Sequence, residues 1–331
     1  MRTFGPRFIP FVLFTVFLLP ACAEKERSQG MVGSSGGTAE ILVVADKALW
    51  DGPAGDAIRE VLATPVSGMP QAEPRFDLIQ IAPDVFDDTY RLHHNILVVQ
   101  TDGSLDSAMV ETKPDYWASP QRLIRLRAPD AKRMAEAIRI RGENVKELFT
   151  ASEYLRLQKL FGELQDVKLS NRLKKTTGLG LIIPGGFYAA KLTENFAWLR
   201  KETKDFSQGL LIYFTPYEDT TYFHQKLLLN RRDQMCMIYV PGEREGSYMR
   251  TAGSIAPESR RMQFKGRFAV ETRGLWDVAG DFMGGPFVNY AILDEKNNRI
   301  ISMDAYVYFP NNDKRDLMLQ LEAMMHTLEL P

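Results

Sequence analysis

Cysteine is scarce in this chain. Its 331 residues contain only two, Cys22 and Cys236. We expect Cys22 to be acylated, for the reason given below, so Cys236 is left as the one free thiol and no intrachain disulfide can form. A chain of this length buries enough apolar surface to fold without a crosslink, whereas small secreted domains depend on disulfides.

The chain also lacks an excess of charge of either sign. It carries 41 basic and 42 acidic residues, and removal of residues 1–21 takes away Arg2 and Arg7, leaving 39 against 42 and a net charge of −3. No basic field is present to attract phosphates, so we expect no nucleic-acid partner. The length predicts two domains or one two-lobed unit.

Long apolar runs are missing as well. Residues 8–19 form an uncharged, mostly apolar stretch of twelve residues, whereas a membrane-spanning helix needs about 20. No later segment reaches that length without charges. Because the short run follows two arginines, it is typical of a secretory signal.

The stretch Leu19-Pro20-Ala21-Cys22, which begins with the last residue of this run, resembles the lipobox of bacterial lipoproteins. The resemblance implies a signal peptide over residues 1–21, with Cys22 acylated, for example by palmitate, as the mature N-terminus. More than one acyl chain is needed, because a single chain gives only marginal, reversible membrane binding. Two alternatives stay open: an ordinary cleaved signal with an incidental cysteine, and an uncleaved anchor.

Residues 22–38 are predicted to be a flexible tether, because they are rich in glycine, serine and charge. Charges of both signs follow Cys22, so they do not indicate which face of the membrane the protein occupies. We divide the folded part into an N-terminal lobe, residues 39–176, and a C-terminal lobe, residues 177–331.

Apolar runs predict strands in the N-terminal lobe over residues 40–45, 76–81, 95–100 and 121–127. A helix is expected to follow Asp51 as its cap, with Pro53 in its first turn. From residue 130 to 175 the pattern is helical, and we expect Gly142 to break it into two helices and Gly178 to end it.

The C-terminal lobe is predicted to contain more strands, over residues 179–183, 196–200, 209–214 and 262–271, and a hairpin over 287–293 and 299–309. In 262–271 the apolar residues alternate with polar ones, Glu271 among them, as in a half-buried strand. A helix is predicted over 220–237 with Phe223 and Leu227 inward. Asp313 is expected to cap the last helix.

These patterns together predict an α+β fold. We expect two lobes, each a mostly antiparallel sheet with helices packed on one face, joined by a central helical segment.

Three separated stretches are familiar as a set: residues 40–44 with 50–56, residues 241–249, and residues 274–276 through 281–288. They resemble the bacterial lipoprotein family known as domain of unknown function 4837, typical of the Bacteroidota. The resemblance extends over residues 38–330. It implies an envelope lipoprotein and no particular activity, since the family has none assigned.

Catalytic patterns are largely missing. A serine nucleophile in Gly-x-Ser-x-Gly does not occur. His224 and Cys236 lie twelve residues apart, which on one helix separates them by about 18 Å. They therefore cannot share a proton, and Cys236, among apolar neighbours, is expected to be a buried and inert thiol.

Other candidate sites have simpler interpretations. Three acidic residues and two histidines form the one cluster with metal-like content, Asp84, Asp87, Asp88, His93 and His94. Adjacent histidines on an extended segment point to opposite sides, so we expect a solvated acidic turn and no metal site. No phosphate-binding glycine motif follows a strand, which excludes a nucleotide cofactor of that type.

Two further patterns, of tryptophans and of glycines, each allow two interpretations. Four tryptophans, three of them near an aspartate, fit either sugar stacking or, as we expect, packing in the core: Trp50, Trp117, Trp198 and Trp276. Two glycines before Pro286 indicate backbone that passes close to a neighbouring strand or, as the alternative, to a ligand.

The sequence therefore favours a lipid-anchored envelope protein that acts by binding or assembly, without a catalytic residue, cofactor or metal. Its expected partners are a membrane, reached through Cys22, and another envelope protein. We expect anchoring in the outer membrane, with the folded part in the periplasm or at the cell surface. The alternatives are a hydrolase of cell-wall or glycan material using Asp281 and His224, and a carrier of a small apolar ligand held between the lobes.

Overall fold

Two β-sheets and one long helix organise the chain. The structure is a computed structural model that describes residues 30–330. The strands are β1 (Glu40–Val44), β2 (Asp77–Ile81), β3 (Asn95–Thr101), β4 (Met109–Pro114), β5 (Arg122–Ala128), β6 (Tyr188–Leu192), β7 (Phe196–Glu202), β8 (Ser207–Pro216), β9 (Met249–Thr251), β10 (Glu258–Phe264), β11 (Arg267–Val278), β12 (Gly284–Asp294) and β13 (Arg299–Tyr308).

The helices alternate with these strands in the first half and flank them in the second. They are α1 (Lys47–Trp50), α2 (Pro53–Leu62), α3 (Ala131–Glu163), α4 (Val167–Thr177), α5 (Gln225–Tyr239) and α6 (Arg315–Met325). Short 3₁₀ turns occupy Pro83–Val85, Tyr90–Leu92, Thr220–Phe223 and Glu295–Asn297. Within residues 30–330, no helix is both long and apolar enough to span a membrane.

The N-terminal sheet has the order β2-β1-β3-β5-β4. Its first three ladders are parallel and the β4–β5 ladder is antiparallel. The two-lobed α+β fold with a central helix is confirmed, but this sheet is not mostly antiparallel as we predicted. Parallel pairing follows from the crossover through α1 and α2, which returns the chain to the same end of the sheet.

The C-terminal sheet is antiparallel, with the order β10-β11-β12-β13-β8-β7-β6 and with β9 beside β11. One face joins α3, α4 and α6 in the main core, and the opposite face packs under α5 around Met235 and Cys236. Helices thus cover both faces of this sheet, where we expected one. The long strands β11–β13 are buried on both sides along most of their length, so apolar residues occur on both faces, although polar and charged residues interrupt them.

Helix α3 connects the two sheets. Asp130 caps it by accepting a hydrogen bond from the backbone N–H of Arg133 at 2.8 Å. The predicted break at Gly142 is wrong, because the helix runs through it. A Cβ at residue 142 would lie 2.5 Å from Cγ1 of Val61, so the glycine allows α2 to pack closely. The chain breaks after residue 163 instead, and Asp166 caps α4.

Two strand predictions fail and two edge strands were not predicted, each for an identifiable reason. Residues 179–183 form no strand and make only an isolated bridge between Gly180 and Glu329. The segment 262–271 is a hairpin of β10 and β11, turning at Lys265 and Gly266 with φ of 50° and 78°, the conformation of a tight two-residue hairpin turn. The edge strands β4 and β6 were not predicted, because their exposed residues show no clear apolar alternation.

Three helix details also differ from expectation. Gly52, and not Asp51, is the N-cap of α2, and no side chain caps that helix. Leu227 is exposed, and its neighbour Leu228 is buried in its place. Asp313 does not cap α6. Glu73 does so from the other lobe, where its Oε2 accepts hydrogen bonds from the N–H groups of Lys314 and Arg315 at 2.7 and 2.6 Å. Because the cap is supplied from 241 residues away, no local pattern could have predicted it.

The start of the described region is attached to the N-terminal sheet. Ser35 donates its N–H to the carbonyl of Leu92 at 2.8 Å, and His94 donates to the carbonyl of Ser35 at 2.9 Å. The last part of the predicted tether is therefore hydrogen-bonded to the folded body. Residues 1–29, with the predicted signal peptide and Cys22, lie outside the described residues.

Candidate functional site

A cavity of about 480 Å³ lies where α3, the β10–β11 hairpin and α6 meet. We call it the polar cavity. The lining residues described below are Arg75, Tyr154, Arg260, Glu271, Arg273, Glu322 and His326. Four further charged residues, exposed or half-buried, also line it: Glu143, Lys146, Glu147 and Glu258. These residues come from both lobes, and its volume is typical of a small-molecule site.

The floor of the polar cavity is a buried ion pair. Arg273 in β11 donates two hydrogen bonds to Glu322 in α6, at 2.9 Å to Oε1 and 2.7 Å to Oε2. The hydroxyls of Tyr154 and Tyr290 also donate to Oε2, at 2.7 and 3.2 Å. Burial by itself raises the pKa of Glu322, but Arg273 outweighs it and lowers that pKa to about 2.

Glu271 extends this pair into a chain of charges. Its Oε1 accepts a hydrogen bond from Arg273 at 2.7 Å, and both of its oxygens accept from Arg260 at 3.0 Å. We predicted that Glu271 would lie on the solvent side of its strand, and this is wrong, since the residue is buried. The carboxylate is tolerated inside because two guanidinium groups neutralise it.

His326 closes one wall of the polar cavity. Its ring stacks on Tyr154 with centroids 4.6 Å apart and lies beside Phe264 at 4.9 Å. Burial lowers the pKa of His326 to about 4, so the imidazole is neutral at neutral pH. From the sequence, this histidine lies at the end of the last helix, and no sequence pattern predicts that it belongs to a site.

Arg75 is the cation of the polar cavity without an ion-pair partner. Among residues 30–330 its guanidinium makes no hydrogen bond and has no carboxylate within 4 Å, but at longer range its charge helps to lower the pKa of Glu322. The whole lining carries more carboxylates than cations, so the positive charge of Arg75 is local: four cations (Arg75, Lys146, Arg260 and Arg273) stand against five carboxylates (Glu143, Glu147, Glu258, Glu271 and Glu322). A free guanidinium fork matches the planar oxygens of a carboxylate or phosphate.

Comparison with known proteins gives two matches in sequence. Residues 166–327 match the family model described as Domain of unknown function (DUF4837). Residues 34–162 match a second one, Domain of unknown function (DUF8532). The resemblance predicted over residues 38–330 thus holds for the C-terminal part, and a different family matches the N-terminal part. The two matches meet at the end of α3, and the polar cavity is lined by residues of both.

Structural comparison adds little. A mutant of the protein Mog1 and the Ran-binding protein Mog1p of Saccharomyces cerevisiae each share 10% identity with this chain at a TM-score of 0.31. The similarity covers 46% of this chain and 90% or 89% of theirs. At this TM-score a shared fold is not established. No curated protein matches the chain.

The residues considered for hydrolysis lie apart. Asp281 sits in an exposed turn and accepts a hydrogen bond from the N–H of Phe282 at 2.7 Å. His224 is exposed and immediately precedes α5. No hydrogen bond or ion pair joins the two in the described part of the chain. Cys236 is buried on α5, as predicted, and burial raises the pKa of its thiol to about 12.

The metal-like cluster is also separated. The three aspartates lie in a surface turn, whereas His93 and His94 are buried. We expected the two rings to point to opposite sides, but they stack with centroids 4.8 Å apart over Gly36, because the strand β3 begins only after them. His94 pairs with the buried Glu153 instead. From residue 30 to 330, no three His, Cys, Asp or Glu side chains converge as a metal site would need.

The tryptophans and the double glycine serve packing. Trp198 and Trp276 are buried in the core under α5. The rings of Trp50 and Trp117 are covered by the guanidinium groups of Arg59 and Arg91. A Cβ at residue 285 would lie 2.1 Å from the carbonyl oxygen of the neighbouring strand at Val307. The interpretation of this glycine as a close approach to a strand is confirmed.

Proposed function

We propose that this chain is a lipid-anchored envelope protein that binds a small anionic molecule in the polar cavity and acts by binding, without catalysis. The unpaired guanidinium of Arg75 carries the proposal. It faces a cavity in which the neighbouring guanidinium groups of Arg260 and Arg273 are already paired with Glu271 and Glu322, so an anionic group of a ligand would give Arg75 the close partner that it lacks. The shared chemistry of the ligand is a carboxylate or a phosphate group.

The titratable groups of the polar cavity support binding over acid–base chemistry. A general acid or base works best with a pKa near the working pH. The pKa of Glu322 is lowered to about 2 and that of His326 to about 4. Burial and Glu322 raise the pKa of Tyr154 well above its ordinary value, so it stays a hydroxyl donor. These groups keep one protonation state and a fixed geometry at neutral pH.

Thermal unfolding in the presence of simple anions tests this binding site. Acetate and inorganic phosphate are the probes, measured with the wild-type chain, Arg75→Gln and Arg139→Gln. Arg139 is the matched control, an exposed arginine paired with Glu60 away from the cavity. We expect one of the anions to raise the melting temperature of the wild type and of Arg139→Gln, but not of Arg75→Gln. An equal response of Arg75→Gln would contradict the proposal, as would no response of the wild type.

Anchoring is a separate part of the proposal and rests on the lipobox-like sequence before Cys22. Cys22→Ser is expected to leave a folded protein that no longer fractionates with the membrane. Unchanged membrane association of this variant would contradict lipid anchoring. Crosslinking in intact cells, followed by purification through a C-terminal tag, tests for a second envelope protein as partner. Loss of a stoichiometric partner in Cys22→Ser would support assembly at the membrane.

A further inference from the structure

A second cavity of about 460 Å³ follows the polar cavity along α3. We call it the apolar cavity. It lies between the C-terminal end of α3, the loop before β6 and helix α6. Its main apolar lining residues are Leu157, Leu160, Phe161, Phe187, Leu321 and Met324. It is therefore lined from both halves of the chain.

The lining of the apolar cavity has a buried part and an exposed rim. Leu157, Phe161 and Met324 are buried, whereas Leu160 is 43% and Leu164 59% exposed. The rim leucines stand one helical turn apart on the same face of α3. The wall from residue 157 to 164 is about 10 Å long at 1.5 Å per residue. A wall of this length accommodates part of an elongated apolar molecule, with the rest of the molecule at and beyond the rim.

Three polar side chains line the apolar cavity: Lys201, Gln208 and Gln320. Gln208 donates its amide N–H to the carbonyl of Leu317 at 2.8 Å and more weakly to Gln320 at 3.5 Å. These bonds tie the Gln208 amide to α6. The side-chain oxygen of Gln208 is buried and has no hydrogen-bond partner in the described part of the chain, so one free acceptor lies beside the apolar wall.

Lys201 is the single charged residue of this lining. In the described part of the chain its ammonium has no carboxylate within 4 Å and makes no hydrogen bond, and the nearest aromatic ring is that of Phe206 at 5.9 Å. Its stem runs past Gly186, where a Cβ would lie 3.6 Å from Cε. An anionic group at this position would meet an unpaired cation beside an apolar wall.

We propose that the apolar cavity binds a single acyl chain with a negatively charged head group, the chain lying along α3 and α6 and the head at Lys201. Charge complementarity and the length of the apolar wall support this class of ligand. A free fatty acid and a monoacyl phospholipid share this chemistry. The site is distinct from the polar cavity, so it does not depend on the function proposed above.

Isothermal titration calorimetry with three lipids that share a twelve-carbon chain tests the proposal. Laurate and lauroyl lysophosphatidylglycerol carry an anionic head, and dodecyl maltoside, used below its micelle concentration, carries an uncharged one. The protein is the full chain with Cys22→Ser, purified without detergent. We expect one of the anionic lipids to bind at a ratio of one to one and about tenfold more tightly than the maltoside. The anionic lipid that binds more tightly shows whether the acyl chain comes from a free fatty acid or from a monoacyl phospholipid.

Two pairs of variants locate the site. Lys201→Gln is expected to weaken anionic binding about tenfold, whereas Lys204→Gln, an exposed lysine outside the lining, leaves it within about twofold. Leu160→Asp at the rim should weaken it at least about tenfold. Leu155→Asp is its control, since Leu155 is on the same helix, 57% exposed and outside the cavity.

Three results would overturn the proposal. The first is no saturable binding of either anionic lipid. The second is equal affinity for the maltoside together with an unchanged affinity of Lys201→Gln, which would remove the role of the charge. The third is an equal loss of affinity in Leu160→Asp and Leu155→Asp, which would place the lipid on the surface of α3.

Discussion

Replacement of Arg273 by methionine tests how strongly the floor of the polar cavity depends on one cation. Within 4 Å Glu322 has an ion pair with Arg273 alone, and Arg75 acts on it only at longer range, while Arg273 is shared between Glu322 and Glu271. The two single replacements are therefore unequal. Arg273→Met leaves a buried carboxylate without an ion pair, but Glu322→Gln leaves Arg273 still bonded to Glu271 at 2.7 Å.

The magnitudes follow from burial. Both side chains are less than 10% exposed, at 7% and 2%, so solvent screens the pair little. Loss of one partner from a buried pair costs about 3–5 kcal/mol, which we expect for Arg273→Met. Glu322→Gln keeps an oxygen for the tyrosine hydroxyls and should cost about 1–3 kcal/mol, as for a lost buried hydrogen bond.

The pH dependence gives a second estimate of the same interaction. The pKa of Glu322 is about 2 in the folded protein against an ordinary value of 4.5, a gap of roughly 3 kcal/mol at about 1.36 kcal/mol per pKa unit. Because the folded pKa is the lower one, this stability is present above pH 4.5 and is lost as the pH falls through about 2. Glu322→Gln should lack this part of the acid destabilisation.

Urea unfolding followed by tryptophan fluorescence measures these differences, with the full chain carrying Cys22→Ser as the reference. Glu60→Gln is the control, because its ion pair with Arg139 is exposed and should change the free energy of unfolding by less than about 1 kcal/mol. A loss in Arg273→Met no larger than that in Glu60→Gln would refute the reasoning. So would a larger loss in Glu322→Gln than in Arg273→Met.

Three further predictions concern packing, capping and reactivity. Gly142→Ala should lower the free energy of unfolding by about 1–3 kcal/mol in thermal unfolding, because the new Cβ overlaps a side chain of α2. Gly162→Ala on the same helix has open space around the new Cβ and should raise the free energy of unfolding by up to about 1 kcal/mol. Equal effects of the two replacements would contradict this reasoning. Glu73→Ala should cost about 0.5–2 kcal/mol by removing the cap of α6, and Asp313→Ala much less, as urea midpoints would show. The Cys236 thiol, its pKa raised to about 12 by burial, should react with a thiol reagent only after unfolding; rapid labelling of the native protein would be the contrary result.

Some residues of the candidate site could be recognised from the sequence. Glu271 and Arg273 are charges within a long apolar strand, and Glu322 is a charge within the apolar stripe of α6. Buried charges of opposite sign require each other, so such interruptions indicate an ion-pair network. Their pairing across β11 and α6 was not readable, because nothing local relates residue 273 to residue 322. Arg75 and His326 left no comparable signal.

The sequence by itself determined the elements that depend on local chemistry. Apolar runs placed β1, β3 and β5, the turn after Asp294 placed the β12–β13 hairpin, and Gly178 ended α4 in a left-handed conformation with φ of 78°. These features need only neighbouring residues, since side-chain periodicity and backbone freedom are local properties.

The tertiary structure alone decided everything that joins distant parts of the chain. It set the parallel pairing of strands in the N-terminal sheet. It also allowed α3 to continue without a break at Gly142, and it brought Glu73 to the N-terminus of a helix in the other lobe. It also brought residues of both lobes together around the two cavities. Strand pairing, close packing and charge neutralisation in the interior depend on which surfaces meet, and that is a property of the whole fold.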